Sequence, residues 1–122
     1  MNCYLIYITT KDKAEARRIG RHLVQTRLAA CANILDQMNS MHIWKDEFQD
    51  DQEAVLIVKT TEARLPDLIA AVRSLHSYEV PCIVTLPILG GHQPFLDWIA
   101  GQVTPPAEQG PSASIAGEEH NP

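Results

Sequence analysis

At 122 residues, 45% hydrophobic and 20% charged, the chain has the material for one ordinary globular domain. Its formal charge is −5, and all ten Lys and Arg precede Thr104 together with twelve of the fifteen acids, which leaves that part at −2. Such a balance excludes a basic face that tracks phosphates, so no nucleic-acid partner is expected. No apolar run approaches the roughly 20 residues of a membrane span, so no membrane partner is expected either. The first residues lack a basic leader and a small-residue cleavage site. Cys3, Cys31 and Cys82 are odd in number, widely spaced and set in apolar runs. This is neither a disulfide framework nor Cys-x-x-Cys zinc spacing. Buried free thiols in a reducing, cytoplasmic setting are the expectation.

Residues 3–9 are β-branched, aromatic and apolar on both faces, as in a central strand. Asp12 followed by Glu15 resembles a capping box, and Ala16, Ile19, Leu23, Val24 and Leu28 continue at helical spacing, with Lys13, Arg17, Arg18 and Arg21 largely off that stripe. Small residues 29–33 then open a strand that continues through 38–44, turns at the polar tip 45–47 and returns through 54–59. The arms of this hairpin exceed ten residues against a usual five or six, so their edges need cover from another copy of the chain. Thr60 and Thr61 supply a helix N-cap with Pro66 near the first turn, and Leu65, Leu68, Ile69, Val72 and Leu75 trace an apolar stripe.

A polar corner comes next, His76, Tyr78 and Glu79 ahead of Pro81. It joins that helix to a fourth strand over 82–88 that reads as buried on both faces. Gly90-Gly91 is a turn, and residues 94–99 form a short closing helix. From Thr104 a Pro-, Gly-, Ser- and Glu-containing segment lacks the apolar content to order itself. The expected organisation is one domain over 1–103 and a flexible tail over 104–122. The order β-α-β-β-α-β predicts an α+β, ferredoxin-like split arrangement with a long β-hairpin and a short C-terminal helix.

No nucleophile elbow, P-loop, dinucleotide fingerprint or His-Glu-x-x-His is present, so no catalysis is expected. His76 at a helix C-terminus either complements the helix dipole or ligates Cu(II) or Zn(II). Glu79 is either a second ligand or a carboxylate held by Lys59 or an arginine. Tyr78 packs with its hydroxyl wet or lines a ligand cleft. Cys31 is a core or interface thiol or a third ligand. Lys59 snorkels to solvent or holds an anion in a cleft, and Trp44 near the hairpin tip is an interface anchor or a cleft lid.

Several blocks in order resemble the CutA family of divalent-cation tolerance proteins. They are Arg27-Leu28-Ala29-Ala30-Cys31-Ala32-Asn33, Ile43-Trp44, Val58-Lys59-Thr60, His76-Ser77-Tyr78-Glu79-Val80-Pro81, Leu86-Pro87-Ile88 and Phe95-Leu96-Asp97-Trp98-Ile99. The resemblance runs from about Asn2 to Val103. It implies a ferredoxin-like protomer, a homotrimer similar in plan to the PII signalling proteins, and a role in tolerance of copper and other divalent cations without catalysis. It implies a metal site around His76, with Cys31 and Glu79 assisting. The further cysteine and the adjacent histidine proposed as copper ligands in some members fall at Ile8 and Leu75 here. By analogy with PII, the alternative is a sensor whose intersubunit clefts, with Lys59, His76, Tyr78 and Glu79, bind a small anionic metabolite and signal to a protein partner.

Overall fold

The computed structural model describes residues 2–105. Strand β1 (Cys3–Thr10) leads into helix α1 (Lys13–Gln25), then the hairpin of β2 (Cys31–Trp44) and β3 (Glu47–Thr61). Helix α2 (Leu65–Leu75), strand β4 (Ile83–Pro87) and helix α3 (Gln93–Val103) complete it. The strands lie in the order β2-β3-β1-β4 with every neighbour antiparallel. This is the α+β, ferredoxin-like split arrangement that the element order predicts. Residues 106–122 of the expected tail lie outside the described residues.

Helix α1 begins where the Asp12 carboxylate accepts the Glu15 amide at 2.8 Å. The reciprocal bond of a capping box is displaced by one residue, since Glu15 Oε1 accepts from the Lys11 amide at 3.0 Å. The helix stops in a Schellman arrangement, with the Leu28 amide on the Leu23 carbonyl, the Arg27 amide on that of Val24, and Arg27 left-handed at φ 63°. The expected cap on the second helix is different in the structure. Thr60 donates its hydroxyl to the Leu28 carbonyl at 2.7 Å, Thr61 makes no side-chain capping bond, and a single 3-10 turn (Glu62–Arg64) intervenes. The threonines serve the strand rather than the helix, and Pro66 alone marks the first turn of α2.

Ile19 and Leu23 of α1 and Leu68 and Val72 of α2 bury fully against Ile6, Ile8, Leu56 and Val58 on one face of the sheet. Gly20 lets α1 lie close to the strands, because a Cβ there would sit 3.1 Å from Leu56 Cδ1 and 3.2 Å from Ala32 Cβ. A smaller cluster forms where Ile99 and Val103 of α3 cover Cys3 and Ala30. Cys3 alternates out of phase with Ile6 and Ile8, so α3 caps the opposite face at one end.

Among the described residues no element covers the rest of that opposite face. Register places Cys31, Lys59, Leu5 and Leu86 in one row and Asn33, Ile57, Tyr7 and Val84 in the next. Leu35, Val84 and Leu86 are exposed by 60%, 48% and 45%. The fourth strand, read as buried on both faces, is therefore an edge strand with bare apolar side chains. Its sequence registers burial that one chain does not supply.

The hairpin is as long as its sequence suggests, with 14 and 15 residues in its arms. Beyond the bulge at Asp36 and Gln37 it leaves the sheet, and residues 38–44 pair only with 47–53. Two residues in one arm there oppose one in the other, and Gln37 takes φ 59°. The tip closes in two residues, Lys45 and Asp46, both left-handed at φ 51° and 67°, the geometry of a type I′ turn.

The contact at Gly20 sets a prediction. Gly20→Ala gains helix propensity but drives a methyl onto Ala32, whose own Cβ cannot rotate away, so stability falls by about 1 kcal/mol net. Gly101→Ala, in α3 with nothing within 4 Å of the added carbon, gains about 0.5 kcal/mol. Urea midpoints measured at one fixed protein concentration check the opposite signs.

Candidate functional site

The corner at the end of α2 is organised by carboxylates from elsewhere in the fold. Glu15, only 2% exposed, accepts the Lys11 amide on Oε1 and the Ser77 amide on Oε2 at 2.8 Å, with Arg18 Nη2 at 3.6 Å from the latter oxygen. Burial alone would raise this carboxyl, but the bonds from Lys11 and Ser77 outweigh it and hold the group below its ordinary value. His76 Nδ1 accepts the Tyr78 amide at 3.0 Å, so Nε2 carries the proton that it donates to the Thr9 carbonyl at 2.7 Å. Tyr78 donates its hydroxyl to Glu53 Oε2 at 2.6 Å and its ring lies 4.8 Å from that of His76. Burial first, then this bond to Glu53, raises the phenol well above its usual range and keeps it a neutral donor.

From this corner the segment 78–80 runs along the overhanging ribbon. Between them opens a cleft of ≈250 Å³ lined by His42, Trp44, Gln49, Asp51, Glu53, Tyr78, Glu79 and Val80. Glu79 Oε2 meets Lys45 Nζ at 3.4 Å, both side chains being largely exposed, and Lys45 Nζ lies 5.7 Å from the centroid of the Trp44 ring. Such a pair contributes little to stability but marks where the ribbon tip meets the corner.

The candidate ligands do not converge. Both ring nitrogens of His76 are used within the chain, and the partner of Glu79 is Lys45 rather than Lys59 or an arginine. Cys31 is in the row of Lys59 and Leu5, four residues along β1 from Thr9, or about 13 Å away. Lys59 Nζ lies 3.9 Å from Cys31 Sγ and donates to Asn33 Oδ1 at 3.0 Å. Burial pushes the Cys31 thiol up despite that ammonium, so it is not a ready thiolate. Lys59 lies on the open sheet face, while Trp44 and Tyr78 do line the cleft. Among the described residues no three His, Cys, Asp or Glu side chains are grouped to hold a metal ion. The set His76, Cys31 and Glu79 therefore does not fit a divalent cation within one chain. No helix among the described residues is long and apolar enough to cross a membrane.

Sequence reasoning missed Glu15 and Glu53, the two carboxylates that hold the corner. Glu15 read as a cap and Glu53 was given no role. The cue available for Glu53 was its place directly ahead of a continuous apolar strand.

A sequence profile described as "CutA1 divalent ion tolerance protein" matches residues 4–102. The chain belongs to the CutA1 family. It is 44% identical over 95 residues to "Divalent-cation tolerance protein CutA" of Thermus thermophilus, covering 78% of this chain and 92% of the relative. It is 38% identical over 98 residues to "Protein CutA" of Homo sapiens, where 80% of this chain matches 54% of the relative, so it spans only about half of that longer protein. The solved structure of the "Divalent cation tolerance protein (Cut A1)" from Thermus thermophilus superposes with a TM-score of 0.81 at 41% identity, covering 84% of this chain and 99% of that one. The "Periplasmic divalent cation tolerance protein CutA" from Archaeoglobus fulgidus gives 0.81 at 37%, with 84% and 99% covered. CutA1 membership thus accounts for the fold, the long hairpin and the motif blocks together.

The corner generates one pH-dependent and one mutational outcome. Because the Glu15 carboxyl titrates below its ordinary value of 4.5, its contribution is complete above that pH and is lost as pH falls through the folded value. Glu15→Gln costs about 2 kcal/mol at neutral pH and flattens the acid limb of the stability profile, as pH-dependent urea titrations will record. Tyr78→Phe removes the donor to a buried carboxylate at Glu53 and costs about 1.5 kcal/mol with no cavity formed, measurable in the same way.

Proposed function

We propose that this chain serves in tolerance of divalent cations as a homotrimer without catalytic activity, with cations drawn electrostatically to the ribbon cleft rather than chelated at His76. The observation that carries this reading is the charge of the cleft. Asp51, Glu53 and Glu79 line it together with His42, while the Lys45 ammonium beside it meets Glu79 and offsets only one of these carboxylates. Carboxylate oxygens attract hard and borderline cations and repel anions, so the cleft favours Cu(II), Zn(II) or another divalent cation over an anionic metabolite. The PII-like alternative needs an intersubunit cleft that brings Lys59 together with His76, Tyr78 and Glu79; within one chain Lys59 lies on the open sheet face, apart from the other three.

The trimer part of the reading rests on apolar surface. Leu35, Val84 and Leu86 on the bare sheet face and Met41, Ile43, Trp44 and Phe48 on the ribbon form more exposed apolar side chain than a solitary domain carries. Further copies of this chain are the proposed cover. The free cysteines Cys3, Cys31 and Cys82 support a reducing, cytoplasmic setting.

Calorimetry and light scattering test the two parts separately. Cu(II) and Zn(II) are expected to bind at neutral pH, and Asp51→Asn with Glu79→Gln to weaken that binding about tenfold, while His76→Ala changes it little. Micromolar binding of a nucleotide, or metal heat lost only in His76→Ala, overturns the cleft assignment. The scattering mass is expected at three times the 13.6 kDa of one chain and to fall to the single-chain value in Val84→Glu with Leu86→Glu. A monomer in the unmodified protein overturns the assembly.

A further inference from the structure

The inner end of the ribbon cleft holds a carboxylate whose charge no described residue matches. Glu53 is 6% exposed, yet neither of the two ion pairs among the described residues includes it. Its one bond comes to Oε2 from the Tyr78 hydroxyl, which stays neutral and so supplies a hydrogen bond without a charge. No described residue donates to Oε1. Because no buried side-chain oxygen among these residues lacks a partner, Oε1 is an atom that the cleft leaves accessible. A carboxylate withdrawn this far from water ordinarily has a cation beside it. Asp51 lines the same cleft, is exposed, and also has no ion-pair partner among the described residues.

Register sets the interval between the two acids. Glu53 opposes Met38 and Asp51 opposes Ser40, so both stand on one face of β3, two residues and about 7 Å apart. His42, opposite Gln49, shares that face, whereas Met41, Ile43 and Phe48 alternate to the other. The apolar side of the ribbon is therefore the reverse of the cleft.

The outer end of the cleft shows which cation its walls accept. There the chain supplies a primary ammonium of its own, with Lys45 Nζ 3.4 Å from Glu79 Oε2 and 5.7 Å from the centroid of the Trp44 ring. The inner end has the anions and no such group. Its His42, Asp51 and Glu53 are not grouped to hold a metal ion. The cleft's ≈250 Å³ is several times the ~30 Å³ share of one water, which leaves room for a short alkyl chain. Tyr78 and Val80 give such a chain an apolar wall.

We propose that the inner end of the cleft binds a small linear diamine, one ammonium on Glu53 Oε1 and the other on Asp51. An alkyl chain of about four methylenes spans that interval. This rests on the cation-binding reading of the cleft and adds an organic dication, selected by Glu53, to its ligands.

Calorimetry on the full chain, freed of metal with a chelator and dialysed into low salt, tests this with diaminobutane, butylamine and Zn(II) as separate titrants. The diamine is expected to bind about tenfold more tightly than the monoamine, which reaches only one carboxylate. Glu53→Gln keeps an oxygen for the Tyr78 hydroxyl while removing the charge, and is expected to weaken diamine binding about tenfold. Asp51→Asn, at an exposed position, is expected to lower the diamine to the affinity of the monoamine, so the outcome does not hang on Glu53 alone. Unchanged thermal melting confirms that each variant is folded. Equal affinity for diamine and butylamine overturns the proposal, as does diamine binding that neither substitution alters. Zn(II) binding without diamine binding overturns it and leaves the cation reading of the cleft in place. Loss of both removes that reading as well.

Discussion

A buried carboxylate governs how this fold closes. Glu15 sits at the start of α1, yet half of its bonding goes to Ser77, beyond the end of α2. Besides the bond from Arg18 to the Leu75 carbonyl, the two helices meet through the apolar layer they share over the sheet, and apolar contact is non-directional. The carboxylate supplies direction. It fixes where the chain turns after α2, and His76 repeats the device by tying the same turn to the end of β1 at Thr9. Tyr78 then carries the connection across to Glu53 on β3. Four elements meet in this network, and among the described residues no buried side-chain nitrogen or oxygen lacks a partner. A satisfied buried network of this kind specifies one arrangement more sharply than apolar packing does.

That commitment also determines what the corner can do. A histidine whose two nitrogens are already bonded within the chain serves the fold, and the exposed carboxylates Asp51 and Glu79 lie outside that network. The cleft shares Tyr78 and Glu53 with the network. Trp44 and Tyr78 shape its walls, while Asp51 and Glu79 give it charge.

Much of this was legible in the residues. The alternation of patterns pointed to the split arrangement, and the apolar stripe of α2 marked the face it buries at Leu68 and Val72. The hairpin's excess length was plain from its sequence. The partners of the polar corner were not, because Glu15 lies 62 positions from Ser77 and Glu53 lies 25 from Tyr78. Pairings across such separations depend on how the layers stack, which no local period encodes. Strand β4 misled for the opposite reason. Val84 and Leu86 are apolar yet lie on a face that the described residues leave open, so hydrophobicity alone did not report their exposure. Thr60 and Thr61 end β3 instead of capping a helix, and the Thr60 hydroxyl goes to the Leu28 carbonyl in the turn after α1.

Arg27 shows how local optimum and tertiary duty can conflict. By exposure it looks freely replaceable, and by backbone it occupies a left-handed position where glycine is ordinarily preferred. Its guanidinium nevertheless grips the end of α3, and its carbonyl receives the Arg64 side chain just ahead of α2. Substituting the residue that the backbone prefers would relax one peptide unit and sever one of these tethers. In this scaffold, a stabilisation scheme that chooses amino acids from backbone angle alone would unfasten a helix at the position it meant to improve.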